Sequence, residues 1–257
     1  MRESTSAVPR ELPDYLRDTY TWAYLDRQAM RESTSAVPRE LPDYLRDTYT
    51  WAYLDHRTLP WLDRPVVVSA ILWGNADRLM SRAVSEFKPG QQVLQAAAVY
   101  GDFSPRLARQ LGEGGELLVL DVAPIQIANT RRKLARWPLT THAQVADLTE
   151  PVGRRFDGVC CFFLLHEVPS TARRCIVANL LNAVEPGGKI VFVDYHKPRW
   201  WHPMGPVMAL VFRYLEPFAN SLLDESIETL VPETADFEWR KETFFGGLYQ
   251  KVVGIRR

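Results

Sequence analysis

Between Val93 and Ser104 the chain reads VLQAAAVYGDFS, an apolar run that gives way to small residues and one glycine. A backbone that leaves a strand, passes close to a ligand and enters a helix needs small or positive-φ residues at alternating positions. Against a pattern of one acid and three alternating glycines, Gln95 stands at the acid, and Ala97, Val99 and Gly101 stand at the glycines. Ala97 and Gly101 meet the steric demand, while Val99 narrows the space. Gln95 either touches the ligand through its amide or caps the strand end. About 20 residues further on, ELLVLD (Glu116 to Asp121) ends in a carboxylate, the spacing of an acid that accepts both hydroxyls of a ribose. Val122 follows it, and Asp121 would serve equally as a cap for a helix from Pro124 onward. In THAQVADLTEP a further strand closes on Asp147 and Leu148, and Asp147 is placed to hold an adenine amino group.

A second group of residues could move protons. FDGVCCFFLL (Phe156 to Leu165) is the near-continuous apolar run of a central parallel strand buried on both faces. His166 and Glu167 therefore fall at its carboxyl end, where open α/β sheets bind ligands. After KIVFVD (Lys189 to Asp194) come Tyr195, His196 and His202. His166, Tyr100, Asp194 and His196 are the candidates for accepting a proton or polarising a carbonyl. A histidine after an apolar strand also serves as a satisfied structural residue. Asp194, His196 and His202 offer oxygen and imidazole donors that could suit a metal ion, without a diagnostic spacing. The alternative is that both histidines bond backbone in a loop rich in Pro and Trp.

These residues need a scaffold. Asp63 as a cap, Pro65, and Leu72, Ala76, Leu79, Met80, Ala83 and Phe87 at helical spacing predict one helix from Asp63 to Phe87. Strands follow at 91–98, 116–121, before Asp147, 156–165 and 189–194, with helices at 104–111, 124–135 and 169–184 and a turn at Pro186 to Gly188. The alternation predicts an α/β sheet whose functional edge gathers Gln95, Asp121, Asp147, His166 and Asp194. Residues Met1 to Asp26 recur unchanged as Met30 to Asp55, and two copies are too few for a solenoid. Residues 1–29 are therefore expected to lie outside the fold, with 30–62 as an aromatic-rich N-terminal arm and 63–257 as the ligand-binding domain. Trp200 to Leu223 is apolar yet interrupted by prolines, and reads as a segment lying on a membrane surface or as a lid.

Lys plus Arg equals Asp plus Glu, 31 each among 257 residues, so nothing points to a nucleic-acid partner. Cys160, Cys161 and Cys175 are odd in number and read as buried thiols of a reducing compartment. MRESTSAVPR lacks the apolar core of a secretory signal, and the expected location is cytoplasmic, peripheral at the inner face of the membrane.

The stretch from about Gln91 to the C-terminus resembles a class I S-adenosylmethionine methyltransferase fold: a Rossmann-like, mostly parallel seven-stranded sheet with helices on both faces, here with an N-terminal helical arm. FEWRKETFFGG and LYQKVVGIRR resemble its closing hairpin. VLQAAAVYGDFS, FFLLHEVP, VDYHKPRWWHP and ETFFGGLYQKVV together resemble the rhodoquinone biosynthesis protein family, RquA. That resemblance implies replacement of a ubiquinone methoxy group by an amino group, with S-adenosylmethionine as amino donor and manganese as supporting ion. Two other readings stay open: an S-adenosylmethionine-dependent quinone methyltransferase, and a non-catalytic module that holds cofactor or lipid.

Overall fold

The computed structural model describes Pro42, residues 59–137 and residues 140–257. The duplicated segment 1–29, and the arm up to residue 58 apart from Pro42, lie outside the described residues.

Short helices α1 (Leu59–Leu62), α2 (Pro65–Ile71) and α3 (Ala76–Val84) precede an alternating series. It runs β1 (Gln92–Ala96), α4 (Phe103–Leu111), β2 (Glu116–Asp121), α5 (Pro124–Leu134), β3 (Thr140–Val145), β4 (Phe156–Phe162), α6 (Ser170–Asn182) and β5 (Val184–Tyr195). Helices α7 (Gly205–Tyr214) and α8 (Ala219–Leu223) and the hairpin β6 (Phe237–Phe244) and β7 (Tyr249–Arg256) complete it. The sheet has seven strands in the order β3-β2-β1-β4-β5-β7-β6, with β7 antiparallel to β5 and β6 and the other neighbours parallel. This is the doubly wound architecture expected from the alternation. The order reverses between β1 and β4, so the connections leave these two strands in opposite directions and open a crevice at their carboxyl ends.

Strand β4 shows why the sequence builds this core. Its side chains alternate between two layers: Cys160 and Phe162 pack with Phe103, Leu107 and Ile127 on one face, Val159 and Cys161 with Ile176, Leu180 and Ile227 on the other. Cys160 and Cys161 are buried as expected, but Cys175 is exposed on α6.

Two expectations are corrected. The helix foreseen from Asp63 to Phe87 is two helices, α2 and α3, because Trp73 and Gly74 take φ of 51° and 76° and break the helical path before Asn75. Nor does Asp63 act as its cap, since its carboxylate is engaged elsewhere in the fold. The turn foreseen at Pro186 to Gly188 lies inside β5 instead. The register against β4 shifts there, between the pairs Phe156–Val184 and Gly158–Lys189, which is how a bulge absorbs extra residues without ending a strand. Among the described residues no helix is long and apolar enough to cross a membrane.

Candidate active site

A cavity of about 380 Å³ opens at the carboxyl ends of β1, β2 and β4, a size typical of small-molecule sites. Its floor is the altered loop after β1. Ala97 takes φ 67° and Gly101 φ 79°, so both stand in the left-handed region where glycine is at ease. At Gly101 a side chain would be strained and would press on Val68. Ala97, Val99 and Tyr100 line the cavity. Gln95 is fully buried beneath the loop and does not line the cavity; its amide donates to the Ala97 carbonyl at 2.8 Å, and its Oε1 has no partner.

The loop is held from behind. Lys133 Nζ, on α5, donates to the carbonyls of Val99 (3.0 Å) and Gly101 (2.9 Å) and to Asp63 Oδ1 (2.8 Å). Asp63 also accepts from the Gly101 amide (2.8 Å) and from Asn129 Nδ2 (3.0 Å). Burial lowers the Lys133 pKa, with Asp63 working against that shift.

Asp121 ends β2 at the cavity wall. Its Oδ2 accepts from the Ala98 amide and its Oδ1 from the Ala123 amide, both at 2.7 Å. Burial lifts its pKa to about 6 against the pull of those two N–H groups. Each oxygen keeps a second lone pair for a ligand hydroxyl. Val122, Asp147 and Leu148 share this end of the cavity; Asp147 Oδ1 also accepts from the Thr149 amide (2.9 Å) and hydroxyl (2.7 Å), which fixes its side chain.

The opposite wall carries His166. After β4, Phe163 turns at φ 54° and a single 3₁₀ turn, Leu165 to Glu167, presents the imidazole to the cavity. Its Nδ1 lies 2.7 Å from Asp194 Oδ1. Asp194, at the end of β5, also accepts from the amides of Leu165 (2.8 Å) and Tyr195 (2.7 Å), so it has no freedom to turn away. The carboxylates of Glu167 and Glu216 stand 3.7 and 3.9 Å from Nε2. Burial opposes a charge on His166, yet Asp194 first, then Glu216 and Glu167, outweigh it and raise the pKa to about 9. At neutral pH the ring is therefore an imidazolium, a proton donor at Nε2. Tyr195 and Phe163 meet its ring edge to face, with centroids 4.8 and 5.8 Å away. Burial and then the nearby acids raise the Tyr100 phenol even though Gln126 donates to it, so it stays protonated.

The fold is that of the class I methyltransferases. An O-methyltransferase family protein from Burkholderia thailandensis is similar with a TM-score of 0.60 at 15% identity, over 93% of this chain and 70% of that one. The N-methyltransferase NodS from Bradyrhizobium japonicum WM9, solved in complex with S-adenosyl-L-homocysteine, is similar with a TM-score of 0.52 at 16% identity, over 77% of this chain and 92% of that one. Residues 93–188, from β1 into β5, match the family model described as a methyltransferase domain. Among curated proteins, the ubiquinone/menaquinone biosynthesis C-methyltransferase UbiE of Cupriavidus metallidurans is 27% identical over 143 residues, 54% of this chain and 57% of the relative. UbiE of Shewanella pealeana is 27% identical over 117 residues, 44% of this chain and 45% of the relative. The chain thus spans about half the length of the curated relatives it matches.

The structure brings Ala97, Val99, Tyr100, Asp121, Val122, Asp147, Leu148 and His166 to one cavity, with Asp194 directly behind His166. It does not bring the foreseen manganese donors together. Asp194 is spent on His166 and two amides; His196 Nδ1 faces the Gly247 carbonyl at 2.8 Å; His202 Nδ1 accepts from the Met204 amide at 3.2 Å. Both histidines brace the turn at Gly246, whose φ is 60° and where any side chain would strike the His202 ring. No group of three such donors able to hold a metal exists among the described residues, so this set does not fit a metal ion. His196 is likewise absent from the cavity wall, which removes it from the proton-transfer candidates.

Three contributors escape a reading of motifs. Glu216 reaches His166 from the segment after α7. Lys133 belongs to a polar stripe, Gln126, Asn129, Thr130 and Lys133, which faces inward along α5; polar residues at the spacing of a buried face were the available signal. Arg173 is fully buried and donates to the carbonyls of Leu165 (2.8 Å), Val168 (3.0 Å) and Phe218 (2.9 Å) and to Glu225 (2.6 Å). It thereby ties the His166 turn to the segment carrying Glu216. An arginine in register with Ile176, Val177 and Leu180 is visible in the sequence, but its partners are not.

Proposed function

We propose that this chain is an S-adenosylmethionine-dependent enzyme that modifies the ring of a quinone, and that the modification replaces a ubiquinone methoxy group by an amino group. The observation that carries the reading is one apolar cavity with a ribose-type carboxylate, Asp121, at one end and an Asp194-backed imidazolium, His166, at the other. The residues at the first end fit the cofactor. Asp121 would accept the ribose hydroxyls and Asp147 the adenine amino group, with Val122 and Leu148 against the base and the Ala97 to Gly101 loop beside the methionine portion. Bound S-adenosylmethionine supplies the transferred group.

The chain's own residues do the rest. His166 Nε2–H is aimed to donate to a quinone carbonyl, drawing electrons from the ring so that a nucleophile adds beside it. Asp194 keeps that ring oriented and charged, as a buried carboxylate does for an imidazole. Glu167 and Glu216, beside Nε2, are the carboxylates nearest to accept a proton from an incoming amine. As the ring C–N bond forms, the ring C–O bond to the methoxy group breaks, and methoxide leaves as methanol with that proton. Phe163, Tyr195 and the apolar walls exclude water.

The amino-group reading is supported by the resemblance of four strings to the rhodoquinone biosynthesis family. A second reading, C-methyl transfer to a quinone, is supported by the names of the curated relatives. Incubation with short-tailed ubiquinone and S-adenosylmethionine, labelled in separate runs at the amino nitrogen and the methyl carbon, decides. Nitrogen label in the quinone is expected. Carbon label would replace that reading by methyl transfer, and no label in any quinone would end both.

A further inference from the structure

Helix α7, GPVMALVFRY, is apolar nearly all round although it lies at the surface. Met208, Val211 and Leu215 face the cavity, whereas Val207, Leu210 and Tyr214 form a second stripe one residue out of step, a quarter turn away, and are exposed. Trp200 and Trp201, just before the helix, are exposed too, Trp200 to 95%. Across the mouth, α2 repeats the arrangement: Val68 faces the cavity and Val66 is 80% exposed, while Ile71 and Trp73 both line the cavity and reach solvent. A helix without a polar face is stable only when something apolar covers it, and contiguous exposed apolar surface of this kind marks an interaction site.

Charge identifies the covering. From Pro198 to Leu215 the sequence holds Arg199 and Arg213 and no acid, Lys197 before it being paired with Asp224 at 2.9 Å, and from Arg64 to Trp73 it holds Arg64 and no acid. Arg199 lies over the Trp201 ring at 5.7 Å and Arg213 over the Tyr214 ring at 5.7 Å. Cations beside amphipathic aromatics on the rim of an apolar face match the boundary between anionic headgroups and acyl chains. Resting on the reading of this cavity as the active site, we propose that its mouth docks on an anionic lipid bilayer. Helices α7 and α2 lie in the headgroup region on either side, and the apolar part of the substrate enters between them without crossing water.

Flotation with phosphatidylcholine vesicles, with and without phosphatidylglycerol, tests this without reference to turnover. The wild-type protein should float with the anionic vesicles, bind about tenfold less to the neutral ones, and be released by high salt. Trp200→Ser with Leu210→Gln, neither of which lines the cavity, should abolish flotation while leaving turnover of a short-tailed quinone in detergent-free buffer unchanged. Quenching of wild-type tryptophan fluorescence by brominated acyl chains reads the same contact without any variant. Wild-type protein that stays with the soluble fraction in both vesicle types, a double variant that floats as well as wild type, or a dimer in light scattering that the double variant dissolves would each overturn the proposal. Flotation without any turnover would leave the docking surface standing and sink only the enzymatic reading.

Discussion

Two clusters of charge in this molecule are mirror images. Just after α3, Glu86 is met by three cations: Lys251 at 2.8 Å, Lys189 at 3.0 Å, and Arg240. At the carboxyl ends of β4 and β5, His166 is met by three carboxylates, Asp194 at 2.7 Å with Glu167 and Glu216 farther off. None of the first four residues lines the cavity; His166, Glu167 and Glu216 all do. An ion cluster that closes on itself inside a packed face holds strands together. One that borders an apolar cavity holds a proton where a ligand can meet it. Their pKa shifts separate them as well. Burial would raise Glu86, but Lys251 and Lys189 prevail and hold it below the usual value, so its stabilisation is present above the ordinary carboxylate range and is lost as pH falls through the depressed value. For His166 the folded pKa, about 9, is above the ordinary 6.5, so its stabilisation is complete below 6.5 and is lost as pH rises through 9.

The largest expected effect comes from breaking the first cluster. Glu86→Gln leaves Lys251, only 3% exposed, with Glu242 at 3.4 Å as its remaining acid, and should cost about 3–5 kcal/mol in denaturant unfolding. Turnover per folded molecule should be unchanged; a loss of turnover in the folded fraction would erase the distinction between the clusters.

Breaking the second should reverse that pattern. Asp194→Asn removes the charge behind His166 and should destabilise by about 1.5–3 kcal/mol, the range for hydrogen bonds to a charged group. It should lower turnover about 10²–10⁴-fold, the usual contribution of a positioned acid or base. Wild-type melting temperature should decline between about pH 6.5 and 9 and the variant's should not; parallel profiles would show that His166 is not charged in the fold.

A smaller change sharpens the account of the loop. Ala97→Gly relieves an L-residue at φ 67° and should stabilise by up to about 1 kcal/mol after the added freedom of the unfolded chain is subtracted. A destabilised variant would mean that the Ala97 methyl packs more tightly than its strain costs.

The parts that sequence made legible are those fixed by period and punctuation. ELLVLD and FDGVCCFFLL could be placed as buried parallel strands because continuous apolar runs have few other uses, although the second ends at Phe162, and once placed they carried Asp121 and His166 to the crevice. What stayed hidden depends on partners distant in the chain. Asp63 reads as a helix cap until Lys133 and Gly101 are seen against it. His196 and His202 could be read as metal donors or as loop histidines that bond backbone, and only their partners decide for the second: the Gly247 carbonyl for His196 and the Met204 amide for His202. Gln95 occupies the position of a ligand-facing acid, but a neutral amide can turn under the loop and bond Ala97 where a carboxylate could not donate.

The most direct test of the central claim is turnover of short-tailed ubiquinone by His166→Gln beside its binding of S-adenosylmethionine. Glutamine keeps a donor but neither the charge nor the acidity, and His166 stands at the opposite end of the cavity from Asp121. The account predicts product formation reduced at least about 100-fold, with the dissociation constant for S-adenosylmethionine within about threefold of wild type, a difference under 1 kcal/mol. A variant that turns over at the wild-type rate, or one that loses the cofactor while the chemistry of the remaining bound fraction is intact, would contradict it.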